Sequence, residues 1–123
     1  MLRLLQTEDF RKKLKQIALE NNLEGLILAD VEGLPIVSYL ADEEMDEDTL
    51  AAAGAAILTA SLMTASDAKK RGVEQVIVNS PDGYIIYTQI TEDLVLGLVA
   101  PQTAKLGILK MIIKNIQNLI GQN

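Results

Sequence analysis

The sequence predicts an α/β (α+β) sandwich in the order helix-strand-strand-helix-strand-strand-strand-helix. Five strands form one antiparallel sheet, with one long helix on one face and two helices on the other. Three observations carry this prediction. Apolar residues recur at helical spacing in three separate segments, around Phe10, around Leu58 and around Ile113. Strand-length apolar runs come as a pair and as a triplet, joined by links short enough to force antiparallel neighbours. Those runs are nearly continuous, so the sheet needs cover on both faces. At 123 residues the chain is expected to be one domain, 1–123, with a single core.

Composition narrows the chemistry. Hydrophobic residues make up 49% of the chain, but it has only one Phe and three Tyr, so its core must be aliphatic. A formal charge of −6 argues against nucleic acid, because nothing here neutralises a run of phosphates. Without cysteine there are no disulfides, no thiolate catalysis and no Cys-based zinc site. Histidine, the commonest general base and metal ligand, is absent too. No cofactor and no metal are expected. The opening MLRLLQTEDF has too short an apolar run, and turns acidic too soon, for a secretory signal. A cytoplasmic protein without membrane insertion is the expectation.

The first helix should start at Thr7 as N-cap, with Glu8 and Asp9 favoured by the helix dipole. Phe10, Leu14, Ile17 and Ala18 form its inner stripe, and it should end near Asn21 or Asn22, which tolerate left-handed geometry. Gly25 to Ala29 reads as a central strand buried on both faces. Asp30-Val31-Glu32-Gly33 is a turn, and Pro35 places the following strand, Leu34 to Leu40, at a sheet edge.

Ala41 to Glu47 is an acidic loop. Asp42, Glu44 and Asp46 have the alternate spacing of a calcium loop, but Glu47 stands where glycine is required and Ala53 where the bidentate glutamate belongs. It reads as a solvated loop that caps the next helix.

That helix, Asp48 to Arg71, is the most unusual stretch. Thr49 to Ser66 contains no charge and no proline. Leu50, Ile57, Leu58 and Leu62 gather on one arc, with Gly54, Ser61 and Ala65 between them. The opposite arc reads Ala52, Ala55, Ala56, Thr59, Ala60, Met63 and Ser66. A simple surface helix would be charged there, so this one is expected to be covered on both sides. A membrane span does not fit, because Ala, Gly, Ser and Thr supply little transfer energy and the apolar bulk is one-sided.

Gly72 should close the helix. Val73 to Asn79 is the third strand, Ser80-Pro81-Asp82-Gly83 a tight turn, Tyr84 to Ile90 the fourth strand and Leu94 to Ala100 the fifth. Pro101 and Thr103 open a last helix whose inner stripe is Leu106, Leu109, Ile112, Ile113, Ile116 and Ile120.

Several of these residues together resemble a known family. Leu28-Ala29-Asp30-Val31-Glu32-Gly33-Leu34-Pro35-Ile36-Val37 is similar to the first hairpin of the Roadblock/dynein light-chain family. The helix beginning LAAAGAAIL resembles that family's second helix, and Ala100-Pro101-Gln102-Thr103-Ala104-Lys105-Leu106-Gly107 resembles the start of its last. The resemblance spans nearly the whole chain and points to a single-domain member of the bacterial or archaeal MglB-like group. It implies a homodimer, or a heterodimer with a paralogue, in which third strands pair into a ten-stranded sheet and second helices pack side by side. The dimer interface would then hold Ala52, Ala55, Ala56, Val76, Ile77 and Val78. It also implies a small Ras-like GTPase as partner, bound through Thr59, Met63 and Ser66. The bare Val76-Ile77-Val78 edge, with neither proline nor lysine to protect it, agrees with the dimer.

An enzyme is not expected, since no Ser or Lys has a convincing catalytic partner and no Gly-rich phosphate loop is present. Activation of a GTPase often uses an arginine supplied in trans. None of Arg3, Arg11 and Arg71 can be assigned that role, so activation would work by positioning the partner's own residues. Two functions remain open: a regulator or scaffold of a small GTPase, and a structural adaptor that tethers a motor, kinase or polarity complex without touching nucleotide state.

Overall fold

A computed structural model describes residues 8–121. Its elements are α1 (Glu8–Glu20), β1 (Gly25–Asp30), β2 (Pro35–Leu40), α2 (Glu47–Asp67), β3 (Val76–Ser80), β4 (Gly83–Gln89), β5 (Leu94–Pro101) and α3 (Leu106–Gly121). The order is the expected one. All strand pairs are antiparallel, and the sheet runs β2-β1-β5-β4-β3. Thus β5 is the middle strand, and β1 lies one place in from the edge, still buried on both faces. The expected N-cap Thr7 lies outside the described residues.

One face of the sheet carries the larger core. Leu26, Leu28, Ile86, Leu96 and Leu98 pack there with Phe10, Leu14 and Ala18 of α1 and with Leu109, Ile112, Ile113, Ile116 and Ile120 of α3. Fully burying each such aliphatic side chain stabilises the fold by about 1.5–3 kcal/mol. The last helix starts later than its expected opening residues, because Pro101 ends β5 and a turn from Pro101 to Ala104 intervenes. α1 ends as expected. Asn22 takes φ 55°, and Leu23 N–H donates to the Ala18 carbonyl at 2.9 Å, closing the helix with a left-handed cap.

Among the described residues, the other face belongs to α2 alone, which crosses all five strands. It is held by an aromatic slot. The Tyr87 ring stands between Gly54 of α2 and its cross-strand partner Gly97 of β5. A Cβ on Gly54 would lie 2.5 Å from the ring, and one on Gly97 would lie 2.9 Å from it. The Tyr87 hydroxyl donates to the Leu50 carbonyl at 2.9 Å, and burial pushes its pKa above the ordinary phenol value. The hairpin turn docks beside this slot. Gly33, at φ 96°, brings its backbone so close that a Cβ would stand 3.1 Å from Ala52 Cα.

Two expectations for α2 need correction. The helix ends at Asp67, not at Arg71, and Lys69 takes the left-handed position at φ 63° that was assigned to glycine. Lys69 N–H donates to the Ser66 carbonyl at 3.0 Å and Lys70 N–H to the Ala65 carbonyl at 2.8 Å, the paired bonds that close a helix through a left-handed residue. Gly72 instead turns the connector, at φ 73°. The inner arc is also rotated from the expected one. Ala51, Gly54 and Leu58 are its buried residues, Leu50 and Ile57 are half-buried, and Leu62 is 40% exposed.

The slot gives a direct test. Ala favours a helix over Gly by about 1 kcal/mol, but Gly54→Ala drives a methyl into a ring backed by Gly97, and overpacking costs about 1–3 kcal/mol. Guanidinium unfolding should show a net loss for Gly54→Ala in the wild-type background and a gain when Tyr87→Leu has already removed the ring. Equal effects in the two backgrounds would disprove the slot.

Candidate functional site

The candidate site is the outward face of α2 with the neighbouring edge of β3. Its construction begins at the N-cap. Asp46 accepts from the Thr49 backbone N–H at 3.1 Å and from the Thr49 hydroxyl. Those bonds, the hydroxyl's first, hold the Asp46 carboxyl below its ordinary pKa. Glu47 accepts a hydrogen bond from the Ser38 hydroxyl, tying the first turn of α2 to β2. Glu47 and Asp48 complement the helix dipole.

From this anchored end, Ala52, Ala56, Thr59, Ala60, Met63 and Ser66 face solvent, Met63 at 65% exposure. The face is less polar than its composition. Thr59 Oγ1 donates to the Ala55 carbonyl at 2.9 Å and Thr64 Oγ1 to the Ala60 carbonyl at 2.8 Å. Both hydroxyls are thereby turned back onto the helix's own backbone. By length and apolar composition α2 could cross a membrane, but its contacts with every strand make it part of this fold.

The residues expected at a dimer interface do not all share one surface. Ala52 and Ala56 are exposed, but Ala55 is half-buried, its Cβ beside the Gly33 turn. In β3, Val76 pairs with Tyr87 and Val78 with Ile85, both on the α2 side. Ile77 pairs with Ile86, whose side chain enters the opposite core, so Ile77 faces away from α2. Exposed Leu62 joins the expected Met63 and Val78, so the apolar surface is larger than sequence reasoning allowed. Leu62 was missed because it lies at the boundary of the inner arc, where a small helix rotation decides its side.

β3 is an edge strand with a two-residue turn to β4. The Ser80–Gly83 pairing sets the alternation, which leaves the backbone groups of Ile77 and Asn79 pointing outward. No group of three or more acidic side chains among the described residues is arranged to hold a metal ion.

Together these features define a class: an α+β domain with one bare, uncharged helix on one sheet face beside an unpaired edge strand. A family model of the Roadblock/LC7 domain matches residues 10–100, and the chain belongs to that family. Among curated proteins, none matches it by sequence. Solved structures share the fold. Myxococcus xanthus MglB is 18% identical, with a TM-score of 0.80 and 87% of each chain covered. The gliding protein MglB of Thermus thermophilus is 21% identical, with a TM-score of 0.77 over 86% of this chain and 81% of that one. An MglB described as having a tetrameric arrangement is 19% identical, with a TM-score of 0.82 over 93% and 87%.

The cap generates a pH prediction. A carboxyl whose folded pKa is lowered adds stability above its unfolded pKa, and that contribution is lost as pH falls through the folded value. Asp46→Asn keeps an acceptor at the cap but removes the titration. Acid unfolding followed by circular dichroism should therefore show a shallower pH dependence for Asp46→Asn than for wild type.

Proposed function

We propose that the protein is a regulator or scaffold of a small Ras-like GTPase and works as a homodimer, or as a pair with a paralogue. The observation that carries this reading is the exposed, uncharged face of α2. A 21-residue helix with only three buried residues leaves an apolar surface of the kind that marks a protein-binding site. Small side chains at Ala52, Ala56 and Ala60 let a second helix approach closely. The outward backbone groups of Ile77 and Asn79 can pair with the same strand of another copy, joining two five-stranded sheets. The arrangement in four copies described for one MglB is in keeping with self-association.

The GTPase would sit on the same helix face, over Thr59, Met63 and Ser66. The expectation that such GTPases are the partners comes with the family resemblance. The chain has no histidine or cysteine to do chemistry of its own, so we infer a non-enzymatic role. Any acceleration of GTP hydrolysis would come from positioning the partner's own catalytic groups.

Two measurements test this. Ala56→Glu exchanges one good helix former for another, so with this face in water it should cost less than about 0.5 kcal/mol. At a two-fold interface it would bring two carboxylates into one dry site. Sedimentation should show a dimeric wild type and a folded, monomeric variant. A monomeric wild type at about 50 μM, a working concentration for interfaces of micromolar affinity, would sink the dimer. For the partner, Ras-like GTPases captured from the native cell should lose binding to Met63→Glu far more than to Lys114→Glu. Equal losses would remove the α2 face from consideration. Unchanged nucleotide hydrolysis in an intact complex would favour the adaptor reading.

A further inference from the structure

Among the described residues, the sheet has a second free edge. β2 is its outer strand on the side away from β3, so pairing at β3 leaves it open. Its hydrogen-bonding phase follows from the register. Ala41 N–H donates to the Glu24 carbonyl at 2.9 Å, and opposite residues alternate from there. Tyr39 and Val37 therefore bond to β1, while the N–H and C=O groups of Ser38 and Leu40 point outward. Among the described residues, only Pro35, at the first position of the strand, guards this edge.

A cleft of 480 Å³ runs beside those two residues, with walls of opposite charge. On the side where Val37 and Tyr39 face the larger core, α1 contributes Arg11 and Lys15. On the side where Leu40 packs towards Ala51, the start of α2 contributes Asp46 and Glu47. Side chains of a strand added to β2 would alternate between these walls.

We propose that β2 accepts an extended peptide segment of a partner protein as an added strand. The segment carries acidic residues at alternate positions, facing Arg11 and Lys15, and basic residues between them, facing Asp46 and Glu47. Backbone bonds to Ser38 and Leu40 supply pairing, and the two charged walls select the pattern and its register. A second copy is a poorer occupant. If the copies also paired through β3, joining at β2 as well would extend the sheet without closure.

The test uses an acetylated octapeptide alternating glutamate and lysine, and an isomer with the four glutamates before the four lysines. Each is titrated into the isotopically labelled full chain and followed by amide NMR at low salt. The alternating peptide should shift the Ser38 and Leu40 amides, leave Ile77 and Asn79 unmoved, and bind at least about fivefold tighter than its isomer. Ser38→Pro removes an outward donor without touching the β1 ladder, and should abolish binding. Arg11→Glu with Lys15→Glu alters only exposed side chains and should weaken binding about tenfold, so the test stands even if the proline variant fails to fold. The proposal is overturned by no saturable shift up to about 1 mM peptide, by equal affinity for the isomer, or by shifts centred on β3. Concentration-dependent shifts at Ser38 and Leu40 without peptide, lost in Ser38→Pro, would assign the edge to a second copy and overturn it equally.

Discussion

The arrangement of the α2 face depends on the Tyr87 slot. A tyrosine ring is thick, and a helix packed over it normally stands off the sheet by a side chain on each surface. Here both opposing side chains are missing, at Gly54 and Gly97, so the ring fills the gap alone. The hydroxyl then reaches the Leu50 carbonyl, which fixes the helix along its axis as well as in height. Close packing of this kind leaves little freedom to rotate α2 about its own axis. With the rotation set, the outward residues are set too.

Asymmetry between the two sheet faces follows. The α1 and α3 side is a conventional aliphatic core, with long side chains interleaved from sheet and helices. The α2 side divides into two small clusters, one around Ile27, Ala29 and Ala51 and one around Leu58, Tyr87 and Val95. Small residues on the inner arc bring the helix close but bury little area. Small residues on the outer arc leave its backbone approachable from solvent. The same composition therefore serves close packing beneath and presents a shallow, uncharged surface above. Threonine back-bonding removes much of the remaining polarity.

Much of this was legible from residue order. The helix and strand sequence, the edge position of β2 signalled by Pro35, the left-handed Asn22 and the positive-φ Gly33 all rest on local chemistry. The misreadings share a different origin. Lys69, not Gly72, took the left-handed cap, where the Lys69 and Lys70 N–H groups close the helix on the Ser66 and Ala65 carbonyls three residues before the glycine. The position of β5 at the sheet centre depends on where the α2 crossover delivers β3. Ile77 joined the opposite face from its neighbours because strand alternation is locked to β4, and no local pattern shows whether Ile86 or Tyr87 faces α2. Ala55 lost its exposure to a turn more than twenty residues earlier in the chain.

By itself the sequence determined the inventory: which segments are helices and strands, that the sheet is covered on both faces, and that one helix carries no charge from Thr49 to Ser66. Periodicity, capping and turn chemistry act within a few residues, so they can be read without coordinates. Only the tertiary structure decided the phase of each element, meaning which arc of α2 meets the sheet and which way each residue of β3 and β2 points. Phase is set by contacts between residues far apart in the chain, such as Tyr87 with Gly54 and Gly33 with Ala52. Those contacts turn an uncharged helix into a specific outward face and place opposite charges on the two sides of a free strand.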